Sequence, residues 1–262
     1  MNLIIRSVAV INMYKPLQAI MWLMLLGSTG VTASPDELPQ PFNASYSLHS
    51  MGSRFATMNR SFSLLQDGSY LYYSETNTDG LLALLRKDHI IEKSTWRYAA
   101  GRLQPLHYSY LHTGGKKNRN VEIDFDWVAR KITNSINGSS WQMPIQAYIM
   151  DKLLYQLAIM YDLDKGLKKI SYTIADGGKI KIYDFDLVGT EKINTPIGDF
   201  DALKLVRHKP NTDQKTAIWC ARELGYLPIK VENVEDNGRQ TTAIIENLSG
   251  TQAGGALINE HP

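Results

Sequence analysis

The chain holds one cysteine, Cys220, in 262 residues, so no disulfide can form within it and the fold must be held by core burial. Cys220 lies in the apolar run 217–220 beside Trp219, with no histidine or basic residue near it in sequence. That context describes a small buried hydrophobe rather than a reactive thiol. An excess of charge of one sign is also missing: 28 Lys and Arg face 26 Asp and Glu, for a net charge of +2. No basic stripe tracks a phosphate backbone, and this excludes nucleic acid as a partner.

Signatures of chemistry are equally scarce. The six histidines form no His-Glu-X-X-His pattern, and His107 and His112 would point to opposite faces of one strand. There is no Gly-X-Ser-X-Gly elbow and no glycine spacing that cradles a phosphate. The stretch Asp162-Leu-Asp164-Lys-Gly166 fails as a calcium loop, because its glycine comes one position early and Thr173 stands where a bidentate glutamate belongs. Asp124 with Asp126, and Asp184 with Asp186, share strand faces, but apolar residues intervene. This is the ordinary solvent side of amphipathic strands. We therefore expect no catalytic residue, no metal ligand and no cofactor, and a protein that is not an enzyme.

What is present begins with residues 1–33. Arg6 and Lys15 precede an apolar run over 17–26, Gly27 and Ser28 loosen it, and Val31-Thr-Ala33 offers the small residues that a signal peptidase requires. The run is short for a membrane span, so a cleaved secretory signal is the expectation, with Met13 an alternative start. No cysteine lies near Ala33, which excludes a lipoprotein anchor. The expected product is exported and not membrane-spanning after cleavage. Residues 34–41, with three prolines, read as an extended lead-in, 42–249 as a single β-rich domain, and 250–262 as a flexible tail.

Period-two alternation dominates the domain. Val121, Ile123, Phe125 and Trp127 share one face, with Glu122, Asp124 and Asp126 on the other; 43–49 and 169–174 alternate likewise. Turn pairs recur at Asp67-Gly68, Asn137-Gly138, Asp176-Gly177-Gly178 and Asn237-Gly238, so about a dozen antiparallel strands joined by tight turns are expected. One segment departs from this. From Ile145 to Leu163 the apolar spacing becomes three and four, after Pro144 and before Gly166, which predicts one sizeable helix packed on a sheet. The fold class is thus mainly β: a curved antiparallel sheet or open half-barrel wrapping one central helix.

Aromatic residues gather in the first half. Tyr70, Tyr72, Trp96, Tyr98, Tyr108, Tyr110 and Trp141 form ladders that would line an apolar or sugar-binding groove, or pack across strands as core. Both readings stand at this level. The run 80–85 has no polar face and is either core or an open apolar patch.

The order of several motifs resembles a bacterial family of exported proteins, Domain of Unknown Function 3108, over 42–248. The carriers are Asp67-Gly68-Ser-Tyr70, Leu103-Gln-Pro105 before Tyr108, a helix opening at Asp151-Lys-Leu-Leu154, and Asp176-Gly-Gly-Lys179. Thr195-Pro-Ile-Gly-Asp-Phe200 follows, then Lys204, Trp219 and Leu227-Pro-Ile-Lys230. Within these, Asp151, Pro196, Gly198, Phe200, Trp219 and Pro228 read as structural: turn formers, a strand restart and core anchors. The resemblance implies a periplasmic, envelope-associated protein, with a plan similar to half-barrel lipoprotein carriers. Its expected work is binding a lipid, acyl chain or envelope polymer, with lipid, lipoprotein or polymer as partner. The alternatives are a structural module of an envelope assembly and a glycan-acting enzyme.

Overall fold

The computed structural model describes residues 38–80, 87–115, 118–146 and 148–250. The expected signal (1–33), the apolar run 81–85 and the tail beyond 250 lie outside them. The chain divides into Met1–Thr32 and Ala33–Pro262, and every described residue belongs to the second unit.

That unit is built on one sheet of fifteen strands. The chain meanders outward through β1 (Phe42–Ser50), β2 (Ser53–Leu64), β3 (Tyr70–Thr78), β4 (His89–Ala99), β5 (Arg102–Thr113), β6 (Arg119–Asp126), β7 (Lys131–Ile136) and β8 (Ser139–Pro144). It then restarts at the opposite edge with β9 (Ile149–Asp151) and, after one helix, returns inward. The return runs through β10 (Ile170–Asp176), β11 (Lys179–Thr195), β12 (Gly198–His208), β13 (Lys215–Ala221), β14 (Leu227–Val234) and β15 (Gln240–Ser249). Strand β15 pairs antiparallel with β1, so the first and last strands join the two meanders. The antiparallel expectation holds for every pair but one: β9 runs parallel to β10, with Ile149 opposite Thr173 and Asp151 opposite Ala175.

The sheet curves strongly. Trp141 of β8, at one edge, lies against the β10–β11 turn near the other and donates its indole N–H to the Gly178 carbonyl at 3.4 Å. Glycine is required at that turn: a Cβ on Gly178 would stand 1.8 Å from the Trp141 ring, and its φ is +76°. Asn137 and Gly138 likewise both take positive φ, as a two-residue hairpin turn demands.

The helix α1 (Tyr155–Asp164) is shorter than the period predicts, and this is a correction. Residues 149–151 form β9 instead, and Asp151 Oδ1 accepts the backbone N–H groups of Leu153 and Leu154, both at 2.8 Å. These bonds fix the turn that leads into the helix, as an N-cap carboxylate does. At the other end Leu167 N–H reaches the Asp162 carbonyl and Gly166 N–H the Leu163 carbonyl, with Gly166 left-handed, so the helix closes in a Schellman motif. Seven of its ten residues are buried, on all sides, because it is surrounded by apolar partners rather than facing water. Tyr155 packs on Phe185 and Tyr183, and Gln156 meets Arg60 of β2.

Candidate functional site: a cleft beside the helix

A cleft of about 870 Å³ opens where the β4–β5 hairpin, β9, the C-terminal half of α1 and β10 converge. This is a volume within the usual range for small-molecule sites. Its walls are mostly apolar and aromatic: Leu103, Trp127, Met150, Ala158, Tyr161 and Tyr172. The aromatic wall residues are held by specific contacts. Tyr98 and Tyr161 share a hydrogen bond between hydroxyls at 2.7 Å, with their rings 6.0 Å apart and edge-to-face. Trp127, in the β6–β7 turn, donates its indole N–H to the Pro105 carbonyl at 2.7 Å. Tyr172 donates to Asp162 Oδ2 at 2.8 Å.

Polar groups sit at the rim. Arg102 stacks on Tyr148, its guanidinium carbon 2.9 Å from the ring centre, and Tyr148 itself is left-handed at φ +66°. Burial raises the Asp162 carboxyl above its ordinary range, while the Tyr172 hydroxyl and the Arg102 charge work against that rise. Lys165 stands at the helix end with its ammonium 4.9 Å over the Tyr161 ring. Apolar walls with a few polar groups at one lip suit a ligand that is largely hydrocarbon or ring surface.

One support lies behind the cleft. Asp151 is fully buried, accepts the two backbone N–H groups named above, and takes a third hydrogen bond from Ser94 Oγ of β4 at 2.5 Å. Burial lifts its carboxyl from an ordinary 3.8 to about 6. The bonds from Ser94, Leu154 and Leu153 limit the shift, and nearby Glu92 adds to it.

The aromatic residues singled out in sequence separate into distinct places. Trp96, Tyr72 and Tyr108 are buried, and Tyr70 stacks on Trp96 at 4.5 Å. Trp141 packs against Gly178, and Tyr110 lies 5.0 Å from the Lys152 ammonium. Of the seven, Tyr98 lines the cleft. Residues that sequence reasoning did not single out as site residues make up the rest of the cleft. In sequence, Trp127 reads as one member of a strand face and Tyr161 as one of an undifferentiated apolar helix. Tyr148 and Arg102 carried no signal, since their stacking depends on two segments far apart in the chain.

The motif residues behave as turns and anchors. Pro196 and Ile197 form the β11–β12 turn, closed by Thr195 Oγ1 donating to the Gly198 carbonyl at 2.8 Å, and Phe200 packs against the core. The Pro228 carbonyl accepts the buried Tyr46 hydroxyl at 2.9 Å. Trp219 stands in register between Lys204 and Lys230, whose ammonium groups lie 4.8 and 4.4 Å from its ring, and donates its N–H to Glu191.

This architecture has counterparts among solved structures. It is similar to a β-barrel-like protein of domain of unknown function DUF1849 from Brucella abortus, with a TM-score of 0.53 at 8% identity over 81% of this chain and 98% of that one. A provisionally classed lipoprotein from Parabacteroides distasonis gives 0.31 at 12% identity, covering 81% and 98%. An exported protein of YmcC-like fold from Bacteroides fragilis, also provisionally classed, gives 0.32 at 9%, covering 80% and 96%. At these identities the likeness concerns the fold alone, and only the first is close enough to carry it. No curated protein matches the chain by sequence. The turn at 195–200, the capping Asp151 and the Trp219 anchor all fall within residues 43–244, which match the family described as protein of unknown function DUF3108, and the chain belongs to that family.

Proposed function

We propose that the protein is exported to the periplasm and works without catalysis, holding a lipid, an acyl chain or a segment of envelope polymer in the cleft beside α1. In this reading the curved sheet wraps the helix as in half-barrel lipoprotein carriers, and the helix forms the floor of the binding site. One observation carries it: about 870 Å³ of space beside the core, walled largely by aromatic and aliphatic side chains. The sequence pattern of residues 1–33 supports export, and among the described residues no helix is long and apolar enough to cross a membrane.

The test is native mass spectrometry of delipidated protein incubated with an envelope lipid extract. A defined adduct, reduced when Leu167→Trp narrows the rim, is the expected result. Failure to retain any lipid, together with failure to bind an apolar fluorescent probe, would rule the carrier reading out.

A further inference from the structure

A second chamber of about 330 Å³ lies at the opposite end of α1, and its lining is of a different character. Three cationic side chains enter it from three separate elements: Arg60 from β2, Lys152 from the turn before α1, and Arg207 from β12. One carboxylate, Glu92, accompanies them, 3.7 Å from the Lys152 ammonium and already accepting the Tyr108 hydroxyl at 3.1 Å. The two guanidiniums have neutral partners instead. Arg60 donates to the Gln156 side-chain carbonyl at 2.6 Å, and Arg207 donates to the Thr216 hydroxyl at 3.3 Å. Arg207 also lies over the Tyr183 ring at 3.9 Å. In both arginines Nε is buried and has no hydrogen-bond partner among the described residues.

This arrangement is expensive unless something answers it. A guanidinium stays charged at every accessible pH, and a buried donor without an acceptor costs roughly 1–3 kcal/mol. Lys152 is partly exposed and answered by Glu92 and Asp176, whereas neither guanidinium is hydrogen-bonded to a carboxylate. Inward-facing strand positions ordinarily carry apolar residues, and the same walls do so here: Leu48, Met58, Ile90, Ile218 and Val231 line the chamber beside the arginines. A planar guanidinium with free donors is suited to the oxygens of a carboxylate or a phosphate.

We propose that this chamber binds the oxyanion headgroup of a single-chain amphiphile, with Arg60 and Arg207 donating to the head and Lys152 adding charge. The aliphatic wall takes the first part of the chain. The site is separate from the cleft at the C-terminal half of α1 and does not depend on the cleft's function.

Isothermal titration of the Leu167→Trp chain, in which the other cleft is narrowed, with decyl phosphate, decanoate, inorganic phosphate and decanol tests the assignment. Decyl phosphate and decanoate should bind one to one, and comparing them shows whether phosphate or carboxylate is preferred. Decanol should bind at least about tenfold more weakly, because it offers the chain without the charge. Arg60→Gln and Arg207→Gln should each weaken both anionic probes by a similar factor. Arg207→Lys should retain part of the affinity. Should the glutamine variants not fold, phenylglyoxal modification of the unaltered protein gives the same answer: decyl phosphate should protect Arg60 and Arg207. The proposal is overturned if decanol binds as well as the anions, if neither arginine is protected, or if folded glutamine variants bind unchanged. Inorganic phosphate binding as tightly as decyl phosphate would overturn the amphiphile assignment.

Discussion

The hydroxyl of Ser94 donates to the carboxylate of Asp151 at 2.5 Å through a fully buried contact, tying β4 to the short parallel strand at the sheet's far edge. The same carboxylate holds the turn that starts the helix, so one side chain links sheet curvature to helix position. It does so with its carboxyl raised to about 6 by burial.

That rise has a definite sign. The folded state favours the protonated carboxyl, so its stabilisation is complete below about 3.8 and is lost as pH rises through about 6. The shift corresponds to about 3 kcal/mol between those limits. Asp151→Asn retains an acceptor for the two backbone N–H groups and a donor toward Ser94. Urea melts at several pH values should show this group's pH dependence vanish in Asp151→Asn, with the variant at least as stable as the natural protein at pH 7. Asp151→Ala should lose stability at every pH, by roughly 1–3 kcal/mol, because the N–H groups and Ser94 lose their partner.

Trp141 of the edge strand β8 and Gly178 of the β10–β11 turn form a further contact across the curved sheet. Gly178→Ala should destabilise by roughly 1–3 kcal/mol, from a left-handed backbone and a Cβ driven into the indole. Trp141→Ala removes the obstruction but not the backbone strain. Thermal melts of the double variant should therefore show a cost smaller than the sum of the two single costs.

Cys220 is fully buried in β13, and burial pushes its thiol well above the ordinary range. A thiol-specific reagent should leave the native protein unmodified over hours and react once denaturant unfolds it. Rapid native labelling would show that β13 opens far more readily than its packing implies.

Trp219, flanked by Lys204 and Lys230, tests a smaller effect. Removing either lysine by substitution with methionine should cost no more than about 1 kcal/mol, since each lysine is partly exposed and the methylene packing survives. Trp219→Ala should cost roughly 3–5 kcal/mol.

Much of this fold is written locally. The alternation over 121–126 became β6, and Asn137-Gly138 and Asp176-Gly177-Gly178 became hairpin turns. These follow from side-chain period and from glycine's tolerance of positive φ. The helix boundary is hidden in sequence because Ile149 is apolar for a different reason: it is fully buried in a parallel strand whose partner, Thr173, lies beyond the helix. The aromatic ladders were ambiguous for a related cause. Tyr98 and Trp96 lie two residues apart on one strand, yet one lines a cleft and the other is sealed in core; what covers them is set by distant segments. Arg60, Lys152 and Arg207 carried no signal at all, because each is one charge in an ordinary pattern until the curved sheet brings them to one chamber.

The carrier reading is tested most directly at Trp127, the tryptophan on the cleft wall. Titrating the protein with a brominated fatty acid, whose bromines quench nearby indoles, should remove part of the tryptophan emission saturably. Trp127→Phe should abolish that component while leaving binding of the unbrominated acid in place. Absence of saturable quenching, or quenching that persists in Trp127→Phe, would contradict occupancy of the cleft.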